Sequence, residues 1–320
     1  MNKYLLTLLV FIILYFSVKK IENFKYSYKN NLNFTPKIAI QTVFILKENL
    51  PFLEEWIVYH KKIGIDKFYL YDNTGSFHRN NHKKINKRLM DYDKMISLSN
   101  NDVNKEMELL KKKYPEIVHV IWQPRDKNNN ITYGQIDAIK HYIKNYGSAC
   151  DFTAFTDLDE YIYLKKNKSL KDYIKNNIND KFIIQQTKMN DRFCGSLKNN
   201  NVLSNIETLD IKSQWAPKNI IKNSEINLDK YISIHNIPIK SNKYKNCSKD
   251  DLLFFHFNIS KTEVNWIKKH FKNEKLNEID NKTLKNFSKK NNINYENKFL
   301  NKEYIKSEKD NICFININKN

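Results

Sequence analysis

Two apolar runs, KIAIQTVFIL at 37–46 and KFYLYD at 67–72, flank a segment whose apolar residues recur at helical spacing, and this order constrains the fold most. The first run is nearly continuous in Ile, Val and Phe, which reads as a strand buried on both faces. Between the runs, Phe52, Leu53, Trp56, Ile57, Tyr59 and Ile63 line one side of a helix that Gly64 closes. Asn49 is placed to cap that helix, Pro51 suits its first turn, and Glu54 and Glu55 favour its positive end. A turn at Asn73–Gly75 stops the second strand.

The alternation continues. A helical segment around Glu106–Lys113 precedes the strand EIVHVIWQP, which Pro124 ends. GQIDAIKHYIKNYG puts Ile136, Ile139, Ile143 and Tyr146 on one helical face, with Gly147 as its C-terminal cap. FTAFTDLDEYIYL, residues 152–164, reads as a fourth strand. Such a β–α order predicts an α/β fold: a mostly parallel, Rossmann-like sheet with helices on both faces, binding ligands at the carboxyl ends of its strands. After residue 180 the pattern changes. KFIIQQTKM, KYISIHNIPI and DLLFFHFNI read as strands, KTEVNWIKKHF as a helix, and polar Lys/Asn-rich sequence follows from about residue 273.

Composition narrows the function classes. With 41% hydrophobic residues, 19 Tyr and 19 Phe, the chain has apolar surface enough for a sizeable core. Its 55 Lys and Arg against 35 Asp and Glu give a formal charge of +20, yet the excess is spread along the chain with Asn and Ile. No nucleic-acid-reading module accompanies it, so nucleic acid is not the expected partner. The four cysteines form no CxxC pair and no Cys/His zinc spacing, which argues against a structural zinc, and their pairing is not readable. The five glycines make neither GxGxxG nor a P-loop, so dinucleotide oxidoreductases and P-loop ATPases fall away.

At the start of the chain, Tyr4 to Val18 is an uncharged, mostly apolar run between Lys3 and the pair Lys19 and Lys20. As a helix it would span about 22 Å, short for a bilayer core, and no small-residue cleavage site follows it. An uncleaved signal anchor is expected over 1–18, then a stem over 19–36, the main domain over 37–272 and a polar extension over 273–320. That arrangement implies a single-pass membrane protein, type II, with its catalytic domain in a Golgi- or ER-like lumen.

The acidic cluster at 157–160 carries the chemistry. On an extended chain Asp157 and Asp159 would share one side and Glu160 the other. Two carboxylates together at a strand end suit a hard cation such as Mn²⁺ or Mg²⁺, which in turn can hold a diphosphate.

Five segments in order resemble glycosyltransferase family 92 and related GT-A glycosyltransferases. ILKENLPFLEEWIVYHKKIGIDKFYLYDN is similar to the family's opening strand, Glu-Trp/Tyr-His helix and second strand. GQIDAIKHYI resembles the next helix, FTDLDEYIYL the metal-binding strand, APKNIIKN with ISIH a later Lys and His segment, and FFHFNISKTEVNWIKK a terminal His-aromatic element. The sequence departs from the family at QQTKMNDRFCGSL, which lacks the usual Trp, and at KNSE, where Arg-Pro is usual. The resemblance implies a GT-A fold in which Asp157 and Asp159 hold Mn²⁺ and the donor diphosphate while Glu160 buttresses the loop. It implies that Asp72 contacts the nucleoside, that His235 or His256 completes the metal shell or binds phosphate, and that Lys218 or Lys222 neutralises the leaving diphosphate. His60 is expected to pack structurally. For an inverting transfer Asp191 is the candidate base.

The expected activity is therefore metal-dependent transfer of a sugar from a nucleotide sugar, a UDP-sugar foremost, to a glycan, glycoprotein or glycolipid. A metal-dependent phosphodiesterase, or a membrane-tethered protein binding nucleic acid or anionic lipid, is the alternative.

Overall fold

The computed structural model describes residues 34–78, 99–166, 169–189, 208–209 and 216–257, together with Tyr15 and Lys19. The expected anchor apart from Tyr15, most of the stem, Asp191, the KTEVNWIKKHF helix and the polar extension lie outside the described residues. Among the described residues, no helix is long and apolar enough to cross a membrane.

Strand β1 (Ile38–Phe44) is buried at every position. It runs parallel to β2 (Lys67–Asp72) on one side and to β4 (Phe152–Phe155) on the other, and β3 (Ile117–Ile121) extends β2 in parallel. Here the expected parallel sheet is found. Beyond β4 the sense changes: β8 (Lys218–Lys222) is antiparallel to β4, and β6 (Lys181–Met189) is antiparallel to β8. β10 (Leu252–His256) runs parallel to β6, and β5 (Glu160–Leu164) is antiparallel to β10. Two short strands, β7 (Thr208–Leu209) and β9 (Tyr244–Asn246), also pair with β6. The sheet is thus mixed rather than mostly parallel, in the order β3-β2-β1-β4-β8-β6-β10-β5. β6 joins two parts: residues 181–184 pair with β8 and residues 185–188 with β10.

Helices cover both faces, as the sequence predicts. Along β1, Ile38, Ile40 and Phe44 enter one core and Ala39 and Val43 the other, because alternate residues of a strand point to opposite faces. Helices α1 (Leu46–Lys62), α2 (Asn100–Lys113) and α4 (Leu170–Asn177) pack on the first core, and α3 (Gln135–Tyr146) on the second. The predicted apolar stripe of α1 is buried throughout. Cys150 and Cys247 are buried free thiols.

Several local expectations are corrected. Helix α1 starts at Leu46, so Asn49 and Pro51 lie inside it and no side chain of its own caps it. The cap is tertiary: Leu46 N–H is shared between Thr74 Oγ1 at 3.1 Å and Asp72 Oδ1 at 3.3 Å. KYISIHNIPI is not a strand but a turn held by the isolated bridges Ser233–Asn236 and Ile226–Ile239. APKNII, read only as a motif, supplies β8.

The largest correction concerns 152–164, which is two strands at distant places in the sheet order. Five Cα steps separate Phe155 from Glu160, at most about 18 Å of chain. The strands lying between β4 and β5 in the order must therefore curl around the intervening turn. That turn, residues 156–159, carries the acidic cluster.

Candidate active site

Helix α1 holds the acidic turn in place from below. Its buried Trp56 donates from Nε1 to the Glu160 carbonyl at 2.9 Å, and Tyr59 donates from its hydroxyl to the Ile162 carbonyl at 2.6 Å. His60 Nδ1 donates to Trp56 O at 2.8 Å, so its Nε2 is the acceptor that receives Ile162 N–H at 3.4 Å. Burial pushes the His60 pKa down to about 3, and the ring stays neutral with both nitrogens engaged. The Glu-Trp-x-x-Tyr-His pattern thus fastens α1 to the first residues of β5.

The turn also braces itself. Glu160 N–H donates to the Asp157 carbonyl at 3.1 Å, and the Glu160 carboxylate accepts from Asp157 N–H at 2.8 Å. Phe257 N–H donates to the Asp159 carbonyl at 2.9 Å, tying the turn to the end of β10.

One buried cation serves two of the acids. Lys218 Nζ, at the start of β8, lies 2.6 Å from Asp157 Oδ2 and 3.4 Å from Glu160 Oε1. Burial disfavours its ammonium, but the attraction of Asp157 and Glu160 outweighs that and holds the pKa above the ordinary lysine value. Burial likewise pushes the Glu160 carboxyl up to about 7, against the pull of Lys218. Gln135, the first residue of α3, donates to the other oxygen of Asp157 at 3.0 Å. It can do so because Gly134 enters the helix at φ +56° beneath Pro124 and Trp122. Gln41, Val43, Gln135, Phe155, Asp157 and Lys218 border a shallow open cleft at this end of the sheet.

Asp159 faces the other way. Its Oδ2 lies 3.4 Å from His256 Nε2, at the end of β10. His256 and Glu160 are register partners across β10 and β5, so pairing of the strands fixes this meeting. His235 donates from Nδ1 to the Pro217 carbonyl at 3.3 Å; burial and the nearby Lys218 charge lower its pKa, leaving a neutral ring.

A divalent cation fits this donor set in part. Among the described residues no three His, Cys, Asp or Glu side chains converge on one point, so the expected ligands do not form a closed cage. Asp159 and His256 supply a carboxylate and an imidazole at a spacing one ion can bridge, and Mg²⁺-like ions characteristically complete their shell with water and phosphate oxygens. Charge argues the same way, since three clustered carboxyl groups share a single ammonium.

The sequence profile of glycosyltransferase family 92 matches residues 38–302, the greater part of the chain and all of this site. The chain belongs to glycosyltransferase family 92. A family 92 protein of Ricinus communis is 21% identical over 225 residues, covering 69% of this chain and 35% of the relative. One of Oryza sativa subsp. japonica is 20% identical over 132 residues, covering 41% of this chain and 17% of the relative. The chain therefore spans about a third or less of the length of these curated relatives. Among solved structures it is similar to S. aureus TarS in complex with UDP-GlcNAc, with a TM-score of 0.36 and 13% identity over 72% of this chain and 60% of that one.

Within this family 92 domain, Asp157, Asp159, Lys218, His235 and His256 come together. Asp72 stands at the expected strand end, but its carboxylate is engaged inside the fold with Leu46 N–H, Thr74 and His119 Nε2. Lys222 does not join: it pairs with Phe152 at the opposite end of β4, and its Nζ lies 3.7 Å from Asp180. Asp191 lies outside the described residues. Gln135 and Gln186 are site residues that sequence reasoning missed. An amide has no charge signature, and only Gln135's place at a helix start within a quoted motif could have flagged it.

Proposed function

We propose that this family 92 chain transfers a sugar from a nucleotide-sugar donor, a UDP-sugar foremost, to a hydroxyl of a glycan, glycoprotein or glycolipid. The observation that carries the reading is the pairing of Asp159 with His256 beside the Lys218–Asp157–Glu160 cluster, at the mouth of a cleft at the strand ends. Asp159 and His256 would hold Mn²⁺ or Mg²⁺, with Asp157 available as a further ligand if Lys218 shifts onto incoming phosphate. The bound ion supplies Lewis-acid neutralisation of the departing diphosphate. Lys218 presents a fixed positive charge toward the same group, its ammonium oriented by Asp157 and Glu160. Glu160 and Trp56 keep the turn in place, and Asp72 acts indirectly by holding the start of α1. Asp191 is retained as candidate base.

The same proposal places the domain behind a membrane anchor at 1–18, as a type II lumenal enzyme, supported by the uncharged run Tyr4–Val18. Carbonate extraction and protease protection of the full chain test that placement.

Thermal unfolding with nucleoside diphosphates, with and without Mn²⁺, tests the chemistry. Ligand at a hundred times Kd adds about 2.7 kcal/mol, and the stabilisation is expected only when diphosphate and metal are both present. Asp159→Asn is expected to abolish the joint effect. Donor turnover unaffected by chelation of all divalent metal would overturn the mechanism.

A further inference from the structure

We infer that Gln186 is a positioning residue that sets the tautomer in which His256 presents Nε2 to a divalent cation shared with Asp159. Gln186 lies in β6, is 2% exposed, and pairs in register with Phe254, two residues before His256 on β10. Its Oε1 meets His256 Nδ1 at 3.2 Å. An amide oxygen only accepts, so Nδ1 must carry the proton. In the neutral ring Nε2 is then a lone pair, and the group it faces, Asp159 Oδ2 at 3.4 Å, is also an acceptor.

Two acceptors facing each other are mutually repulsive in a partly buried place unless a positive charge lies between them. Their spacing matches that need. Adjacent ligands of an octahedral ion with bonds of about 2.1 Å stand about 3 Å apart. An ordinary N–H···O bond would be drawn in to about 2.9 Å. A buried Gln among apolar strands is costly unless its polar atoms are used, and donating the second ring N–H to an outer partner is the usual way of fixing a ligating histidine.

This inference rests on the metal reading above, and the experiment separates the two. Mn²⁺ binding to the purified full chain is measured by electron paramagnetic resonance without donor, for wild type, Gln186→Met, Gln186→Glu and Asp159→Asn. Met fills the space of Gln without an acceptor, and Glu keeps one. Gln186→Met is expected to weaken Mn²⁺ binding 10–100-fold, and Gln186→Glu to bind within a few-fold of wild type. In metal-free protein, ¹⁵N shifts of His256 are expected to report the Nδ1–H tautomer in wild type and a mixture in Gln186→Met. Wild-type affinity and tautomer in Gln186→Met, with binding lost in Asp159→Asn, would overturn the role of Gln186 alone. Undiminished binding in Asp159→Asn as well would overturn both readings. If Gln186→Met does not fold by circular dichroism, a mixed tautomer in folded Gln186→Glu overturns the inference and a retained one upholds it.

Discussion

Lys218 is the residue on which the acidic turn depends, because its buried ammonium is shared by Asp157 and Glu160. Lys218→Met would leave two carboxyl groups without their cation, and removing one partner of a buried pair is costly. A loss of about 3–5 kcal/mol is expected in urea unfolding. Lys222→Met, at the other end of the same strand and half exposed, is expected to change stability by less than about 1 kcal/mol in the same measurement. His60 makes a pH prediction. Its pKa is lowered from 6.5 to about 3, so folding favours the neutral ring. The stability this confers is fully present above about pH 6.5 and is lost as pH falls toward 3. Over that window the wild type is expected to lose up to about 1.4 kcal/mol per pH unit more than His60→Leu, read from unfolding free energies against pH.

At the scale of elements, two joints place the site. The first fastens α1 to β5 through Trp56, Tyr59 and His60. Trp56→Phe keeps the aromatic bulk but leaves the Glu160 carbonyl without its indole partner. It is expected to cost about 1–3 kcal/mol in chemical unfolding, and to lower transfer because the turn next to Glu160 loosens. The second joint is the entry to α3. A Cβ on Gly134 would stand 2.5 Å from Pro124 Cγ and 3.3 Å from Trp122 Nε1, in a left-handed conformation. Gly134→Ala is expected to cost about 1–3 kcal/mol and to move Gln135 off Asp157, visible as weaker diphosphate stabilisation in thermal unfolding.

At the scale of the molecule, β6 makes one body of two sheet regions. Its Phe182 is fully buried and packs against Phe152 of β4 and Tyr173 of α4. Phe182→Ala is expected to cost about 3–5 kcal/mol. Far-ultraviolet dichroism and tryptophan fluorescence should still report one shared transition, because neither region can lose β6 and persist. Separate midpoints for the two probes would contradict that unity.

The sequence by itself determined the parallel half of the sheet and the helices that cover it. Periodicity is a local property, and continuous apolar strands alternating with amphipathic helices leave few ways to bury both faces. Motif order likewise sufficed for the family, and the acidic cluster marked the site. Tertiary structure decided the rest. A long apolar stretch split by four residues looks the same whether it is one strand or two, and only the curl of the sheet separates β4 from β5. The partners of the acids come from far along the chain, Lys218 from β8 and His256 from β10, because strand register rather than spacing brings them together. The cap of α1 follows the same rule: Asp72 looked like a ligand contact at a strand end, and its carboxylate proved to be held by the backbone of the neighbouring helix.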